Sequence, residues 1–138
     1  MKYVGFPEGL SETEESIRKM ILGTAAARPQ RNYFAIFEDG AYCGETSYDI
    51  DEDTKSASLD IKLFAFARGR GIATKALSFA IAEAFRNGAE TVWVDPDPEN
   101  AKAIALYERL GFEKKTMPAH VVAMGEDPER YVYMERKK

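Results

Sequence analysis

A glycine-rich turn between a predicted strand and a predicted helix constrains the fold of this chain more than any other feature. Before the turn, residues 58–64 alternate apolar and polar side chains, which is typical of a half-buried strand. After it, apolar residues recur at helical spacing between Ala73 and Phe85. The first N–H groups of a helix have no internal partner and lie at the positive end of its dipole. We therefore predict that the turn, which reads Arg68-Gly69-Arg70-Gly71, binds a phosphate or pyrophosphate group.

The turn does not match two common nucleotide-binding patterns. The P-loop pattern G-x-x-x-x-G-K-[ST] does not fit, and the dinucleotide pattern G-x-G-x-x-G fails because Thr74 stands at its last position. The pattern that fits is R-x-x-G-x-A, formed by Arg68, Gly71 and Ala73. On this pattern alone, a loop that merely turns the chain remains an alternative.

A second informative segment follows about thirty residues later. Residues 91–94 are predicted to form a short buried strand, and a helix is predicted over 98–110. Asp97 is the predicted N-cap and Gly111 the left-handed cap at the other end. Four residues of this helix share one face, on which the Asn and the Tyr can both reach a ligand beside the strand end: Asn100, Ala103, Ile104 and Tyr107.

Together, the two segments resemble the GCN5-related N-acetyltransferase (GNAT) superfamily. The turn is similar to the [RQ]-x-x-G-x-[GA] motif of that family, and the second segment matches its later signature at Asn100, Tyr107 and Leu110-Gly111-Phe112. The Asp-Pro-x-Pro-x-Asn opening is also similar to aminoglycoside 6'-N-acetyltransferases and to ribosomal-protein alanine acetyltransferases, which often carry Glu where Asp95 stands. The resemblance implies the α/β (α+β) GNAT fold, with a mixed, mostly antiparallel central sheet flanked by helices.

The remaining elements give the order α-β-β-β-α-β-α-β-β, which agrees with that fold. A capping-box pattern at Ser11 and Glu14 opens a helix that runs to about Ala27, and Asp39-Gly40 marks a tight hairpin turn. Further strands are predicted at 33–37, 41–49, 56–65, 112–117 and 131–135.

The resemblance is good over residues 31–136 and loose over residues 1–30, where the first strand of the family has no counterpart. A missing strand leaves its neighbour as an exposed edge, which proteins usually cover. We therefore expect a second copy of the chain to cover this edge in a homodimer.

Acetyl-CoA is the co-substrate that the resemblance implies. Its pyrophosphate would lie on the N–H groups of residues 69–74, its pantetheine arm would run beside residues 63–66, and the amide of Asn100 would hold that arm. The implied cofactor-binding residues are Leu63, Phe64, Phe66, Arg68, Gly69, Arg70, Gly71, Ile72, Ala73, Thr74, Asn100, Ala103 and Tyr107.

The implied reaction is direct attack of a primary amine on the thioester, with a general base and a tyrosine general acid. Asp95 is the first candidate base, because it ends the strand just before the helix that carries Tyr107. Asp60 and Glu45 are reserve candidates for the base, and the base can also act through a water molecule. The alternative for each of these carboxylates is that it is an ordinary solvated surface group. Tyr107 would protonate the departing thiolate, since a phenol of pKa ~10 stays protonated at neutral pH; its alternative is a core aromatic.

Composition narrows the class of protein without identifying the substrate. The chain of 138 residues is expected to form one domain over 1–138, and its net charge of −4 disfavours non-specific binding to nucleic acid. We expect no membrane span, no metal site and, because Cys43 is the single cysteine, a cytoplasmic location. His120 is expected in a loop. The acceptor stays open between a small amine, such as an aminoglycoside or polyamine, and a protein amine; a non-catalytic CoA-binding module of the same fold is the alternative function.

Overall fold

The computed structural model describes residues 31–69 and 71–138. The helix predicted over 11–27, the region of the first family strand and Arg70 lie outside these residues.

A mixed sheet of six strands forms the centre of the described fold, in the order β1-β2-β3-β4-β6-β5. The β3–β4 pair is parallel and every other neighbouring pair is antiparallel, which confirms the predicted fold class. The strands are β1 Arg31–Glu38, β2 Ala41–Asp51, β3 Ser56–Leu63, β4 Thr91–Val94, β5 Glu113–Lys114 and β6 Met134–Lys137; the helices are α1 Ile72–Arg86, α2 Ala101–Arg109 and α3 Ala119–Ala123. Within the described residues β1 is one edge of the sheet, and the homodimer stays a prediction.

The apolar stripe of α1 packs on one face of the sheet, as its helical spacing predicts. The core at this interface contains buried side chains from the helix and from five strands. Alanine at two of the buried helix positions keeps the helix close to the sheet, since a small side chain leaves the backbone room to approach. The buried residues of this core include Leu77, Ala80, Ile81 and Ala84 of α1 and Phe34, Tyr48, Leu59, Val92 and Met134 of the strands.

The two ends of α1 differ in the side-chain hydrogen bonds that they receive. At the carboxyl end, the Asn87 side chain donates to the Glu83 carbonyl and to the Tyr48 hydroxyl, both at 2.9 Å. At the amino end the capping residue is Gly71, which has no side chain to accept a hydrogen bond, and the first turn holds no acidic residue. The carboxyl end is therefore tied to the sheet, while the amino end is left without a side-chain cap.

The central strands separate soon after they pair. Parallel pairing between β3 and β4 covers only Ser56–Ser58 against Thr91–Trp93. β3 then continues to Leu63 with β2 as its partner, while β4 ends at Val94, just before Pro96. Proline lacks the N–H that a further ladder bond would need. A cleft therefore opens between the end of β3 and the end of β4, with backbone groups of β3 along one side.

Two predicted boundaries are wrong, and local hydrogen bonds explain each. β3 ends at Leu63, two residues early, because Ala65–Ala67 form a 3₁₀ turn in which Ala67 N–H donates to the Phe64 carbonyl at 3.0 Å. The second helix begins at Ala101 rather than 98. Asp97 closes a separate turn by accepting the N–H of Glu99 at 2.8 Å, so it does not cap the helix.

The tail also differs from the prediction. The strand expected over 112–117 is only Glu113–Lys114, and the last strand begins at Met134 rather than 131. A short helix, α3, occupies Ala119–Ala123, where a loop was predicted. Five residues are too short a stretch for helical periodicity to be read from sequence.

Gly44 lets β2 and β3 approach each other closely beside a bulge in the β1–β2 pairing. Its φ is +147°, and a Cβ there would lie 2.0 Å from the Lys62 carbonyl oxygen and 2.9 Å from Leu63 Cα. Both atoms belong to the backbone of β3, so a side chain would push away the strand that forms one wall of the cleft.

We expect Gly44→Ala to lower the free energy of unfolding by about 3 kcal/mol or more, because backbone atoms cannot yield as a flexible side chain does. Gly40→Ala is the control: its φ is +83° but no atom lies within 4 Å of the added Cβ, so only strain of about 1 kcal/mol is expected. Urea denaturation of both variants measures the difference. Equal losses in the two variants would contradict the close approach at Gly44.

Candidate active site

The glycine turn presents an open helix end to the cleft. Gly69 and Gly71 have φ values of +77° and +79°, and no atom of the described residues lies within 4 Å of a Cβ added at either. The first backbone hydrogen bond of the helix runs from Lys75 N–H to the Gly71 carbonyl at 3.3 Å. The N–H groups of the three residues before Lys75 thus have no intrahelical acceptor and can bind an anion.

The side chains of the turn differ in how much of each is accessible to a ligand. Arg68 and Thr74 are exposed, whereas Ile72 is 2% exposed and packs against Ile36 and Cys43 in a second core cluster. Ile72 can therefore offer a ligand only its backbone N–H. Ala73 is half-buried, so a small residue at this position leaves the backbone accessible.

The stretch predicted to run beside the pantetheine arm is only partly extended. Leu63 ends β3, but Phe66 lies in the 3₁₀ turn. The rings of Phe64 and Phe66 stack with their centroids 6.0 Å apart, and they are 47% and 56% exposed. The strand edge that faces the cleft is residues 59–63, which lie earlier in the chain than the predicted 63–66.

Asn100 caps α2. Its Oδ1 accepts the N–H of Ala103 at 3.1 Å, so the two residues predicted to bind the co-substrate bond to each other. Asn100 is exposed and has an amide donor besides this acceptor. The sequence thus placed Asn100 on the correct helix but did not foresee that it would cap that helix.

Tyr107 lies half-buried on α2, with its ring centroid 5.5 Å from that of Phe112. Burial, together with the smaller effect of the negative charges of Asp60 and Asp95, raises the pKa of Tyr107 to about 12. The hydroxyl therefore stays protonated throughout the neutral range, near one carboxylate on β3 and one directly after β4.

Asp95 follows the last residue of β4. The pKa of Asp95 is raised to about 7, first by burial and then by the neighbouring Glu126 carboxyl and the charge of Asp60. A hydrogen bond with its own backbone opposes the shift. A carboxyl that titrates near neutral pH can both accept and release a proton under working conditions.

Glu126 is the residue that the sequence did not single out. It lies in the segment after α3, where the chain contains Gly125 and Pro128 and shows no periodic pattern. Only the fold brings it to Asp95. Its acidic neighbours Asp127 and Glu129 gave no reason to prefer it, so the sequence carried no signal that could have found it.

The two reserve bases, Asp60 and Glu45, lie on the same face of the sheet but differ in their effect on the pKa of Asp95. Asp60 lies opposite Ser47, and Glu45 lies opposite Lys62. Glu45 Oε2 accepts the Tyr42 hydroxyl at 3.2 Å. Asp60 acts electrostatically on Asp95 and on Tyr107, and within the described residues Glu45 is not among the groups that shift either pKa. A small cavity on this face is lined by Tyr33, Glu45, Thr46, Ser47, Asp60 and Lys62.

Other residues considered from the sequence lie away from this arrangement. Cys43 is fully buried, and its thiol donates to the Ala41 carbonyl at 3.3 Å. His120 lies on α3, with its Nε2 buried and without a hydrogen-bond partner among the described residues. Over residues 31–69 and 71–138, no helix is long and apolar enough to cross a membrane.

Sequence comparison finds relatives among acetyltransferases. The profile of the family described as "Acetyltransferase (GNAT) family" matches residues 4–112. The N-alpha-acetyltransferase MAK3 of Arabidopsis thaliana is 38% identical over 60 residues, which are 44% of this chain and 32% of that relative. The chain thus spans about a third of the length of this curated relative.

Solved structures share the fold at low sequence identity. A Klebsiella pneumoniae protein assigned as an acyl-CoA N-acyltransferase has a TM-score of 0.68 at 22% identity, covering 84% of this chain and 79% of that one. The PaiA N-acetyltransferase of Thermoplasma acidophilum, solved in complex with coenzyme A, has a TM-score of 0.63 at 16% identity, covering 79% and 62%. Similarity at this level shows a common fold.

We expect Asp95→Asn to make the protein more stable than the wild type at pH 8. A carboxyl whose pKa rises from about 4 in the unfolded chain to about 7 contributes stability below pH 4 that is lost as the pH rises through 7. Asn carries no such cost of ionisation. Since Asp95 is partly exposed, the gain at pH 8 is expected to be about 1 kcal/mol, well below the full linkage value.

Urea denaturation at pH 4 and pH 8 measures this difference. At pH 4 the advantage of the Asn variant should disappear, since Asp95 is then protonated in the folded wild type. Glu90→Gln removes the same charge from an exposed position before β4 and serves as the control. An Asn variant that is no more stable than the wild type at pH 8 would contradict the raised pKa.

Proposed function

Because the chain belongs to the acetyltransferase (GNAT) family, we propose that it acts as a single domain over residues 1–138 and transfers an acetyl group from acetyl-CoA to a primary amine. The observation that carries this proposal is the placement of Asp95 near Tyr107. Asp95 directly follows β4, where β3 and β4 separate, and its negative charge helps to raise the pKa of Tyr107. A proton acceptor near neutral pH and a protonated phenol are the two groups that aminolysis of a thioester needs.

The residues around the cleft suit acetyl-CoA as co-substrate. The open amino end of α1 offers N–H groups to a pyrophosphate, and the exposed guanidinium of Arg68 adds positive charge. Over residues 59–63, the edge of β3 opposite β2 has no partner strand within 31–69 and 71–138, so it offers backbone groups to the amides of a pantetheine arm. When bound, acetyl-CoA supplies the activated acetyl group.

Asp95 and Tyr107 divide the proton transfers of the reaction between them. Asp95 accepts the proton that the amine nitrogen loses as it forms its bond to the acetyl carbon. Tyr107 donates its proton to the sulfur as the carbon–sulfur bond breaks, so that a thiol leaves rather than a thiolate. Exchange of protons with water then restores both side chains.

The acceptor is proposed as a primary amine that arrives as an ammonium ion. Asp60 and Glu126 both lie close enough to Asp95 to act on it electrostatically, and a group of three carboxyls favours a cation at this place. Small amines and protein amines both fit this description. A panel that includes a polyamine, an aminoglycoside and peptides with free amino termini, assayed by thiol release from acetyl-CoA, separates them. Binding of acetyl-CoA without transfer to any amine would instead support a non-catalytic CoA-binding module.

We expect calorimetry to show micromolar binding of acetyl-CoA and none of NAD. Gly71→Asp should weaken acetyl-CoA binding about 10-fold relative to Gly71→Asn, because a carboxylate at the helix end repels the pyrophosphate. The two side chains have the same size and both tolerate a positive φ, so the pair isolates the charge. Equal binding by both variants would mean that the helix end does not bind the pyrophosphate.

We expect Tyr107→Phe to lower kcat by about 10²–10⁴, the usual contribution of a placed general acid. The ring keeps its contact with Phe112, so acetyl-CoA affinity and the melting temperature should stay close to those of the wild type. Steady-state kinetics with the best amine of the panel gives kcat, and calorimetry gives the affinity. An unchanged kcat would remove Tyr107 from the role of proton donor.

A further inference from the structure

A row of three polar side chains crosses the sheet from β1 to the cleft. Tyr33 of β1 lies opposite Ser47 of β2, and Ser47 lies opposite Asp60 of β3. Residues directly opposite each other on paired strands point to the same face of a sheet. These three residues, the polar row, therefore lie side by side. Because neighbouring strands are about 4.8 Å apart, the backbones of Tyr33 and Asp60 are about 10 Å apart.

The strand register also brings the polar row to the reacting groups. The last paired residues of β3 and β4 are Ser58 and Trp93. Asp60 lies two residues beyond Ser58 on β3. Asp95 lies two residues beyond Trp93, directly after β4. Since β3 and β4 run in the same direction, the polar row reaches the cleft at the height of Asp95.

All three members of the row line the small cavity on this face. The volume of the cavity is about 60 Å³, which is more than a single water molecule needs and suits a small polar group. Thr46 is 1% exposed and donates from its Oγ1 to the Asp60 carbonyl at 2.8 Å, so β2 holds the backbone of Asp60 in place. At the outer end the Tyr33 side chain is 44% exposed, which leaves its ring accessible to a ligand.

The charges around this cavity favour a cation on the polar row. Glu45 and Lys62 also line the cavity, and because they lie directly opposite each other, the charge of one offsets that of the other. Asp60 has the hydroxyl of Ser47 opposite it instead of a basic side chain. Both a carboxylate and a hydroxyl accept hydrogen bonds from an ammonium group. The face of the Tyr33 ring adds an attraction for a cation, which acts within about 6 Å.

We propose that the polar row binds the second ammonium group of a diamine or polyamine acceptor while the first amino group lies at Asp95. Tyr33, Ser47 and Asp60 are then specificity-determining residues. This inference rests on the proposed function and narrows its acceptor from primary amines in general to amines with two cationic groups. A monoamine, or a peptide amino terminus followed by neutral residues, has no ammonium group to place in the cavity.

The first test compares putrescine with pentylamine, in which a methyl group replaces the second ammonium group. Thiol release from acetyl-CoA gives kcat/KM for each amine. We expect the wild type to prefer putrescine by about 10-fold, the combined effect of an exposed ion pair and a cation–π contact. An enzyme that acetylates both amines with equal kcat/KM overturns the proposal.

Variants of Tyr33 locate the preference on the polar row. Tyr33→Leu removes the ring and should reduce the preference for putrescine to about 3-fold or less, whereas Tyr33→Phe keeps the ring and should retain most of it. The kcat/KM for pentylamine should stay at the wild-type value in both variants, since this amine has no group for the cavity. A preference that survives Tyr33→Leu in full overturns the role of the row.

Arg31→Gln is the control for these variants. Arg31 lies two residues before Tyr33 on the same strand and the same face, where it pairs with Asp49 outside the cavity. This variant should keep the wild-type preference for putrescine. A loss as large as that of Tyr33→Leu would assign the preference to the general charge of the face and would overturn the proposal.

A binding measurement separates this inference from the proposed function. The backbone amide resonances of Ser47 and Asp60 in ¹H–¹⁵N spectra should shift when putrescine is added and stay in place with pentylamine. If they shift so and no amine is acetylated, the polar row stands as a diamine site and the proposed function alone fails. If other amines are acetylated while putrescine moves neither resonance, this inference falls and the proposed function stands.

Discussion

The early separation of β3 from β4 is the constraint on which the rest of this structure depends. Two parallel strands that stayed paired would fill the centre of the sheet and leave no edge open. Here the pairing stops after Ser58 and Trp93, and among the strands that the structure describes β3 continues along β2 alone. The cleft lies between backbone that belongs to the sheet on one side and the ends of β4 and α2 on the other.

Burial at this cleft raises the pKa of two chemically different groups, a carboxyl and a phenol. Removal from water disfavours the charged form of both a carboxyl and a phenol, so the pKa values of Asp95 and Tyr107 both rise. In the proposed reaction, the shift at Asp95 suits a base that works at neutral pH. The shift at Tyr107 keeps the phenol protonated but makes it a weaker acid. The charge of Asp60 raises both pKa values in the same direction.

The sequence predicted those parts of the fold and site that local chemistry determines. The strand at Thr91–Val94 was predicted with the observed bounds, because a short apolar run followed by Asp-Pro leaves few alternatives. The helix after Gly71 was predicted from its apolar period and its glycine start. In contrast, the start of α2 was missed, since Asp97, Pro98 and Asn100 are all good residues near a helix start and only hydrogen bonds decide between them. Glu126 could not be found at all, because its partner lies far away in sequence and its local segment has no pattern.

The unequal ends of α1 have a consequence for how the helix loses order. Helices fray from ends that lack partners, and the end tied by Asn87 to Tyr48 and Glu83 resists fraying. Unwinding of α1 must therefore begin at Gly71, in the wall of the cleft. In the proposed complex, the pyrophosphate would accept hydrogen bonds from this first turn, where Gly71 supplies no side-chain cap. Binding of acetyl-CoA and the order of the longest helix among the described residues would then be a single equilibrium.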